Sequence, residues 1–404
     1  MARVIQSIFE EYYQKKSQIE ITIDQMKNDL NGMIDKIVLY GAGSAGIAFL
    51  HYLWDAEIYP VCFADGNPKR WGEICESLPI INYADITAKV GNDALVIITI
   101  NTDGKNYCKS FSLALRQGGP HAVFKKLYES GCKNVIEYTA FRHCFRLFKG
   151  DCYNLPSCSD ISEMEKNYQN ICKVYSLMAD AISKETYEKI LKFRLLDDTI
   201  TIPTFDQKQE YFDYNIYKKI PDEIFVDCGA YTGTTLEIFL ENNNMFENYY
   251  ALEPDKDNFE GLQEKCRSQY REMENSLKLY NAAAYDISNI SLPFYSLKSP
   301  GSFVCEQGKD TVRTISIDDM LAGKKVTFIK MNIEGCEIKA LKGAEETIRK
   351  YNPVLAIMGY HKTVDFWEIP ILIKKMFSGY KIYIRSYMNH ISFMYYAVPE
   401  ERRV

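Results

Sequence analysis

Apolar residues along this chain follow two spacings, and their alternation indicates how it is organised. Over residues 1–34 they recur at helical spacing, which predicts one or two amphipathic helices. Over residues 35–148 short apolar runs alternate with helical patterns, and the same alternation restarts at Glu223. Alternating strands and helices are typical of a doubly wound parallel sheet. The pattern therefore predicts an α/β protein with two doubly wound domains.

The individual elements are read from apolar runs bounded by turn-forming residues. In the N-terminal half the pattern predicts strands at Lys36–Tyr40, Tyr59–Ala64, Ala94–Ile100 and Asn134–Glu137, and helices at Ala45–Trp54 and Pro120–Ser130. In the C-terminal half it predicts strands near residues 224–228, 248–252, 277–281, 326–332 and 353–358, and an antiparallel edge hairpin within Gly379–Val398.

Chain length and local composition place the domain boundaries. A chain of 404 residues is too long for one ordinary core, so two or three domains are expected. We predict an N-terminal helical segment at residues 1–34, a Rossmann-like nucleotide-binding domain at 35–148, a largely helical connection at 149–204 and a second nucleotide-type domain at 205–404.

Composition narrows the class of protein. Hydrophobic residues make up 47% and the net charge is −6, which gives no reason to expect nucleic acid or an anionic membrane as a partner. The twelve cysteines include no Cys-x-x-Cys pair, which favours free thiols over disulfides or a metal site. No stretch reaches a transmembrane length and the first residues do not resemble a signal peptide, so a cytoplasmic location without membrane insertion is expected. The apolar stripe of residues 1–34 can pack on the next domain or join two copies of the chain.

A glycine-rich loop in the C-terminal half follows a strand and opens a helix. In this FVDCGAYTG sequence the strand ends at Asp227, and Gly229, Ala230, Tyr231 and Gly233 form the loop. Its backbone N–H groups and the helix N-terminus suit a nucleotide-type ligand. The strand-end carboxylate would repel a pyrophosphate, but it suits a cationic or neutral group such as the amino-acid part of S-adenosylmethionine.

Two polar residues after the next strands fit the same ligand. Glu253 ends the second strand, where a carboxylate can accept hydrogen bonds from both ribose hydroxyls, and Asp255 is the weaker alternative. Asn281 ends the third strand, where an adenine edge could be read. Strand-end acids can also simply cap helices, and Asn281 can be a turn residue. Their order along the chain favours cofactor binding.

Four segments resemble the FkbM family of S-adenosylmethionine-dependent methyltransferases. The resemblance covers residues 205–398 and implies the class I methyltransferase fold, with seven strands of which the last is antiparallel. It also implies methylation of hydroxyls in glycans, polyketides or other natural products. The matching segments are Asp227–Gly233, ALEPDKDNF at 251–259, VRTISIDDML at 312–321 and IKMNIEGCEIKALKGA at 329–344, with Glu334, Gly335, Glu337, Leu341, Gly343 and Ala344 in the family's spacing.

The candidate catalytic residues follow the fourth and fifth strands. Asn332 stands where the family usually has Asp; an amide cannot act as a base or supply charge for a metal, but it can orient a hydroxyl. Glu334 and His361 are the candidate general bases. Glu337 lies at a helix start and is assigned a structural role. We therefore expect either a base other than residue 332, catalysis without a metal, or a weak or inactive copy.

The first glycine-rich loop fits the dinucleotide fingerprint Gly-x-Gly-x-x-Gly better. Gly41, Gly43 and Gly46 lie between a strand and a helix, and Asp65 ends the second strand at the ribose-binding position. The region resembles the N-terminal Rossmann domains of sugar-modifying proteins, which implies a nucleotide-sugar or NAD(P) as ligand. No Tyr-x-x-x-Lys pair is placed for hydride transfer, and an empty scaffold remains an alternative.

Together these features predict an S-adenosylmethionine-dependent methyltransferase that O-methylates a sugar or another hydroxyl in glycan or natural-product biosynthesis. The aromatic segment 205–217 is expected over the cofactor. The alternatives are an NAD(P)-dependent oxidoreductase or epimerase that uses the first loop, and a non-catalytic nucleotide-sugar-binding protein. The acceptor is a small molecule or a glycan, which the sequence does not name.

Overall fold

The chain forms two compact units, comprising residues 7–162 with 192–200 and residues 163–191 with 201–404 and 1–6. The computed structural model describes residues 2–19, 23–100, 115, 122–138, 140–141, 160–196, 202–206, 209–243, 245–296, 301–305, 308–388 and 392–404.

A six-stranded sheet forms the centre of the N-terminal unit. Its order is β3-β4-β2-β1-β5-β6, and every described pairing is parallel except β3 with β4. The second strand begins later than predicted, since Pro60 has no N–H to donate and Tyr59 is exposed. The strands are β1 (Ile37–Tyr40), β2 (Cys62–Asp65), β3 (Ile74–Cys75), β4 (Leu78–Asn82), β5 (Leu95–Ile98) and β6 (Asn134–Glu137). The helices are α1 (Ala2–Ile19), α2 (Ile23–Leu30), α3 (Ser44–Asp55), α4 (Ile86–Lys89) and α5 (Ala122–Glu129).

A seven-stranded sheet forms the centre of the C-terminal unit. The strands are β7 (Ile224–Cys228), β8 (Asn248–Leu252), β9 (Leu277–Tyr280), β14 (Phe328–Met331), β15 (Val354–Met358), β16 (Lys381–Met388) and β17 (Ser392–Val398). Their order is β16-β17-β15-β14-β7-β8-β9, and β17 runs antiparallel to both neighbours. This is the class I methyltransferase topology, and the edge hairpin is formed by β16 and β17. The fold prediction is confirmed.

Helices cover this sheet, and a second, small sheet packs at its carboxyl end. The small sheet has the order β10-β13-β11-β12 and consists of β10 (Ala283–Ala284), β11 (Ser291–Tyr295), β12 (Phe303–Val304) and β13 (Asp310–Ile315). The helices are α6 (Ile161–Lys166), α7 (Tyr168–Leu177), α8 (Ala181–Leu196), α9 (Thr234–Asn242), α10 (Lys256–Gln269), α11 (Ile317–Leu321), α12 (Glu337–Lys342), α13 (Glu345–Tyr351) and α14 (Asp365–Met376).

Residues 163–191, placed in the connection by the sequence, lie in the C-terminal unit. The ring of Tyr187 on α8 stacks on Phe366 of α14 at 4.1 Å between centroids. Two single bridges extend the sheet beyond β16, pairing Met178 with Ile382 and Thr204 with Ser386. The outer strand is therefore covered at these two positions.

Stacked aromatic rings fill the core at the amino ends of β7, β8 and β14. Phe225 stacks on Tyr249 at 5.1 Å and on Phe328 at 4.8 Å between ring centroids. Such rings bury large apolar areas, so the neighbouring strand ends are held firmly. The eight cysteines within the described ranges are free thiols. No helix among the described residues is long and apolar enough to cross a lipid bilayer.

Candidate active site

The loop after β7 requires glycine at two positions. Gly229 has φ +80°, and a Cβ there would lie 2.0 Å from the carbonyl oxygen of Asn332. Gly233 has φ +92° and precedes the first residue of α9. Both φ values lie in the left-handed region that favours glycine. Tyr231, between them, has φ +51°. The loop therefore passes directly over the end of β14.

Asp227 lies in a closed network beneath this loop. It is opposite Lys330 in the parallel register of β7 and β14, and the Lys330 Nζ lies 2.8 Å from its Oδ1. The Tyr249 hydroxyl donates to Oδ2 at 2.6 Å, and Lys330 also donates to the Gly229 carbonyl at 2.8 Å. All three side chains are buried. The carboxylate predicted to meet a ligand is thus paired inside the protein, where it fixes the loop.

Glu253 lies at the end of β8, beside the loop. Its Oε2 accepts from the Tyr231 N–H at 2.8 Å and its Oε1 from the Asp255 N–H at 3.0 Å. Burial raises the pKa of the carboxyl to about 7, although these backbone donors oppose the shift. Glu253 thus joins the loop to the second strand and titrates near neutrality.

Asp255 and Asn281 hold the turn after β8. Asp255 caps α10 through Oδ1, and its Oδ2 accepts from the hydroxyls of Ser296 at 2.6 Å and Ser302 at 2.8 Å. The Asn281 amide donates to the carbonyls of Glu253 at 2.9 Å and Pro254 at 3.1 Å. Asn281 is exposed, and its amide supports the backbone around Glu253.

Asn332 follows β14, and the two polar atoms of its side-chain amide differ in their hydrogen bonding. Its Nδ2 donates to the Tyr211 hydroxyl at 3.1 Å. Its Oδ1 is buried and has no hydrogen-bond partner among the described residues. An unsatisfied buried oxygen is unusual in a native structure. The side chain thus has one fixed donor end and one open acceptor end.

Glu334, Glu337 and His361 form a buried cluster just beyond Asn332. Glu337 accepts from the backbone N–H of Ile333 and of Gly335, both at 2.9 Å. His361 Nδ1 lies 2.8 Å from Glu337 Oε1, and its Nε2 lies 3.5 Å from Glu334 Oε2. Glu334 adopts φ +53°, in the left-handed region that non-glycine residues rarely occupy. The imidazole therefore lies between two carboxylates.

The charges of the cluster determine its protonation. Burial alone would lower the pKa of His361, but the carboxylates of Glu337 and Glu334 outweigh it and raise the pKa to about 9. Burial alone would raise the pKa of Glu337, but His361 and the backbone donors hold it below its usual value. Burial raises the pKa of Glu334, although His361 opposes the shift. At neutral pH, His361 is an imidazolium paired with ionised Glu337.

A cleft of about 660 Å³, open mouth included, joins these parts. Of the predicted site residues, it brings together Gly229, Tyr231, Glu253, Asn332 and Glu334. Asp227, Ala230, Gly233, Asn281 and His361 are not among its described lining residues. The sequence did not indicate that Phe294 of β11 and residues 301–304 form the opposite wall.

Residues 209–217 supply two site residues that were not singled out from sequence. Tyr211 contacts Asn332, and burial raises the pKa of the half-buried Glu210 to about 7, opposed by the charge of Lys330. The only signal in the sequence was the aromatic composition of residues 205–217. Gln207 and Lys208 lie outside the described residues.

The first loop, in the N-terminal unit, is tightly packed except at Gly43. A Cβ at Gly46 would lie 2.0 Å from the Gly41 carbonyl oxygen, whereas one at Gly43 would meet nothing within 4 Å. Asp65 accepts from the backbone N–H of Asn67 at 2.8 Å and of Ala42 at 3.3 Å. The structure thus places Gly41, Gly43, Gly46 and Asp65 around one strand-to-helix turn.

Residues 227–395 match the methyltransferase FkbM domain. The resemblance predicted from the sequence is confirmed for this region, and it supports a methyltransferase. A region of 158 residues is 27% identical to the hexuronic acid methyltransferase AglP of Haloferax volcanii. It covers 38% of this chain and 62% of that relative, so the chain spans less than two thirds of the relative's length.

A solved structure shares the fold over nearly the whole chain. The crystal structure of methyltransferase FkbM from Methylobacillus flagellatus KT superposes with a TM-score of 0.65 at 20% sequence identity. The match covers 98% of this chain and 99% of that one. The comparisons give no support to the NAD(P)-dependent alternative.

Proposed function

We propose that this protein is an S-adenosylmethionine-dependent methyltransferase that methylates a hydroxyl of a sugar. The observation that carries the proposal is the convergence of three strand ends on one cleft. The cleft is lined by Gly229 and Tyr231 of the glycine loop, by Glu253, and by Asn332 and Glu334. A concave site with a few convergent polar groups suits a small cofactor and the reacting end of an acceptor.

The residues present fit the cofactor. Glu253 would accept hydrogen bonds from the ribose hydroxyls, and the Gly229–Tyr231 backbone would hold the amino-acid part, next to buried Asp227. Oδ1 of Asn332, which has no partner among the described residues, provides a further hydrogen-bond acceptor on a residue that lines the cleft. When bound, S-adenosylmethionine supplies a methyl group on a positively charged sulfur, which a hydroxyl oxygen can attack.

We propose that Glu334 is the general base, which accepts the proton of the hydroxyl that is methylated. A carboxyl whose pKa is raised by burial is a better base than an exposed one. The sequence also suggested His361 as a base, but an imidazolium has no free lone pair to accept a proton. In this mechanism His361 holds Glu334 and Glu337 apart and stabilises the charge of both.

A sugar acceptor follows from two observations. The relative from Haloferax volcanii is described as acting on a hexuronic acid, and the cleft offers hydrogen-bond acceptors suited to hydroxyl groups. For the N-terminal unit we propose a nucleotide-linked ligand at the open face of Gly43. Cytoplasmic location and glycan biosynthesis belong to the same proposal.

The first test is binding and transfer by the intact chain. Calorimetry should show binding of S-adenosylmethionine, and radiolabelled methyl should pass to methyl glycosides from a panel of hexoses and hexuronic acids. Glu253→Gln should weaken cofactor binding about tenfold, because hydrogen bonds to a charged group contribute about 1.5–3 kcal/mol. Glu247→Gln, at the exposed start of β8, is the matched control.

Two results would count against the proposal. A chain that binds NAD but not S-adenosylmethionine would favour the oxidoreductase alternative. Binding without transfer to any glycoside would favour a binding protein or another acceptor class. An affinity unchanged by Glu253→Gln would show that the ribose lies elsewhere.

A further inference from the structure

Tyr211 reaches the end of β14 from a different part of the chain. It has φ +69°, which a non-glycine residue adopts only when its surroundings impose it. The Tyr217 hydroxyl donates to the Tyr211 carbonyl at 3.2 Å, and the Lys330 ammonium lies 5.0 Å from the ring centroid. The ring is buried. The phenol is thus held in place on more than one side.

This phenol sets the orientation of the Asn332 amide. An amide has a donor end and an acceptor end, and the Tyr211 hydroxyl takes the donor end at 3.1 Å. The acceptor end, Oδ1, remains buried without a described partner, on a residue that lines the cleft. When a sugar is bound, a hydroxyl next to the one that is methylated could donate its hydrogen to this oxygen.

We infer that Tyr211 is a positioning residue, which holds the Asn332 amide so that Oδ1 accepts a hydrogen bond from the sugar hydroxyl next to the one that is methylated. The inference rests on the proposed function. The reacting hydroxyl itself gives its proton to Glu334. Tyr211 and Asn332 hold the neighbouring hydroxyl, and so direct the reacting oxygen towards the methyl group.

Burial keeps Tyr211 in this role. Its pKa is raised well above the usual value by burial and by the neighbouring charge of Glu210. The phenol therefore stays neutral over the working pH range and neither accepts nor loses a proton in the reaction.

The chain contains a matched pair for the test. Tyr214 lies on the same segment as Tyr211, and its hydroxyl accepts from Asn243 Nδ2 at 3.2 Å. Asn243 is not among the described residues that line the cleft. Tyr211→Phe should lower kcat for a methyl glycoside about ten- to a hundredfold, since small misplacements at a reacting group have effects of this size. The KM for S-adenosylmethionine should stay unchanged. Tyr214→Phe should change neither.

Coupling separates positioning from a general structural role. In an Asn332→Leu background, Tyr211→Phe should have no further effect on kcat, because both substitutions break the same hydrogen bond. The inference is overturned if the loss of kcat in the double variant equals the product of the losses in the two single variants. An unchanged kcat in Tyr211→Phe would overturn it as well. Asn332→Leu tests the bond if Tyr211→Phe does not fold.

A second readout does not depend on the acceptor. In protein labelled with ¹⁵N-asparagine and bound to S-adenosylhomocysteine, the Asn332 side-chain amide signal is assigned by its loss in Asn332→Asp. Tyr211→Phe should shift this signal and Tyr214→Phe should leave it in place. An unshifted signal overturns the inference even where glycosides are methylated. A shifted signal without any methyl transfer supports the amide contact and counts against the proposed acceptor class.

Discussion

At the scale of single residues, the site depends on a few side chains whose protonation its surroundings control. Glu253 is the one expected to govern cofactor binding. Its pKa of about 7 lies within the working range, and only the carboxylate can accept from both ribose hydroxyls. Affinity for S-adenosylmethionine should therefore fall as the pH drops from 8 to 6. Calorimetry across this range measures the change, and Glu253→Gln should make the affinity independent of pH.

Asn332→Asp should retain turnover. A carboxylate at this position can accept a hydrogen bond from the sugar, as the amide does. The Tyr211 hydroxyl, which accepts from the amide, can instead donate to the carboxylate. We expect kcat within about tenfold of the wild type, because the interaction is replaced and not removed. Methyl transfer measured beside Asn332→Leu tests this. A complete loss in Asn332→Asp would show that the reaction requires a neutral group there.

His361 should make stability depend on pH on the alkaline side. Its pKa is raised to about 9 in the folded chain, so its contribution is complete below the unfolded value near 6.5 and is lost as the pH rises through 9. The loss is at most about 3 kcal/mol. Urea unfolding between pH 6 and 10 measures it. His361→Gln should be less stable at pH 6 and should show a flatter profile.

At the scale of elements, the loop after β7 is fitted to β14 by Gly229. Gly229→Ala should destabilise the fold by more than about 3 kcal/mol, because its Cβ would collide with the Asn332 carbonyl at 2.0 Å. Gly323→Ala is a control with nearly the same φ of +79° but open space around the Cβ. It should cost only about 1–2 kcal/mol. Equal losses in chemical unfolding would contradict the steric argument.

The elements themselves could be predicted well from the sequence, and the contacts between them less well. Apolar runs located the strands of the seven-stranded sheet and β1, β2, β5 and β6 of the other, because buried parallel strands are continuously apolar. The partly exposed β3 and β4 were not predicted. Strand ends also located Glu253, Asn332 and Glu334, which the structure brings to one cleft. The pairing of Asp227 with Lys330 was not predicted, since it depends on the register of strands a hundred residues apart. Tyr211 was missed because its contact with Asn332 joins residues 121 positions apart in the sequence.

At the scale of the whole molecule, residues far apart in the chain close the base of the large sheet. Arg402 donates to both oxygens of Glu223, at 2.8 and 3.1 Å. The side chains of Arg402, Glu223 and the neighbouring Thr327 are all buried. Arg402→Met should cost about 3–5 kcal/mol, because it leaves a buried carboxylate without its cation. Arg403→Met removes an exposed pair with Glu400, which solvent screens, and should change stability much less. Thermal unfolding of both variants gives the comparison.

The two single bridges beyond β16 have a consequence for how the protein behaves at high concentration. An outer strand with free backbone groups is a template on which another chain can add, which leads to aggregation. Here Met178 and Thr204 pair with Ile382 and Ser386 on that strand, and Arg385 beside them is ion-paired with Asp180. Residues on either side of α8 thus cover part of the backbone of β16, the edge strand of the sheet. Shortening this segment in an engineered variant should promote self-association even where the cleft is unchanged.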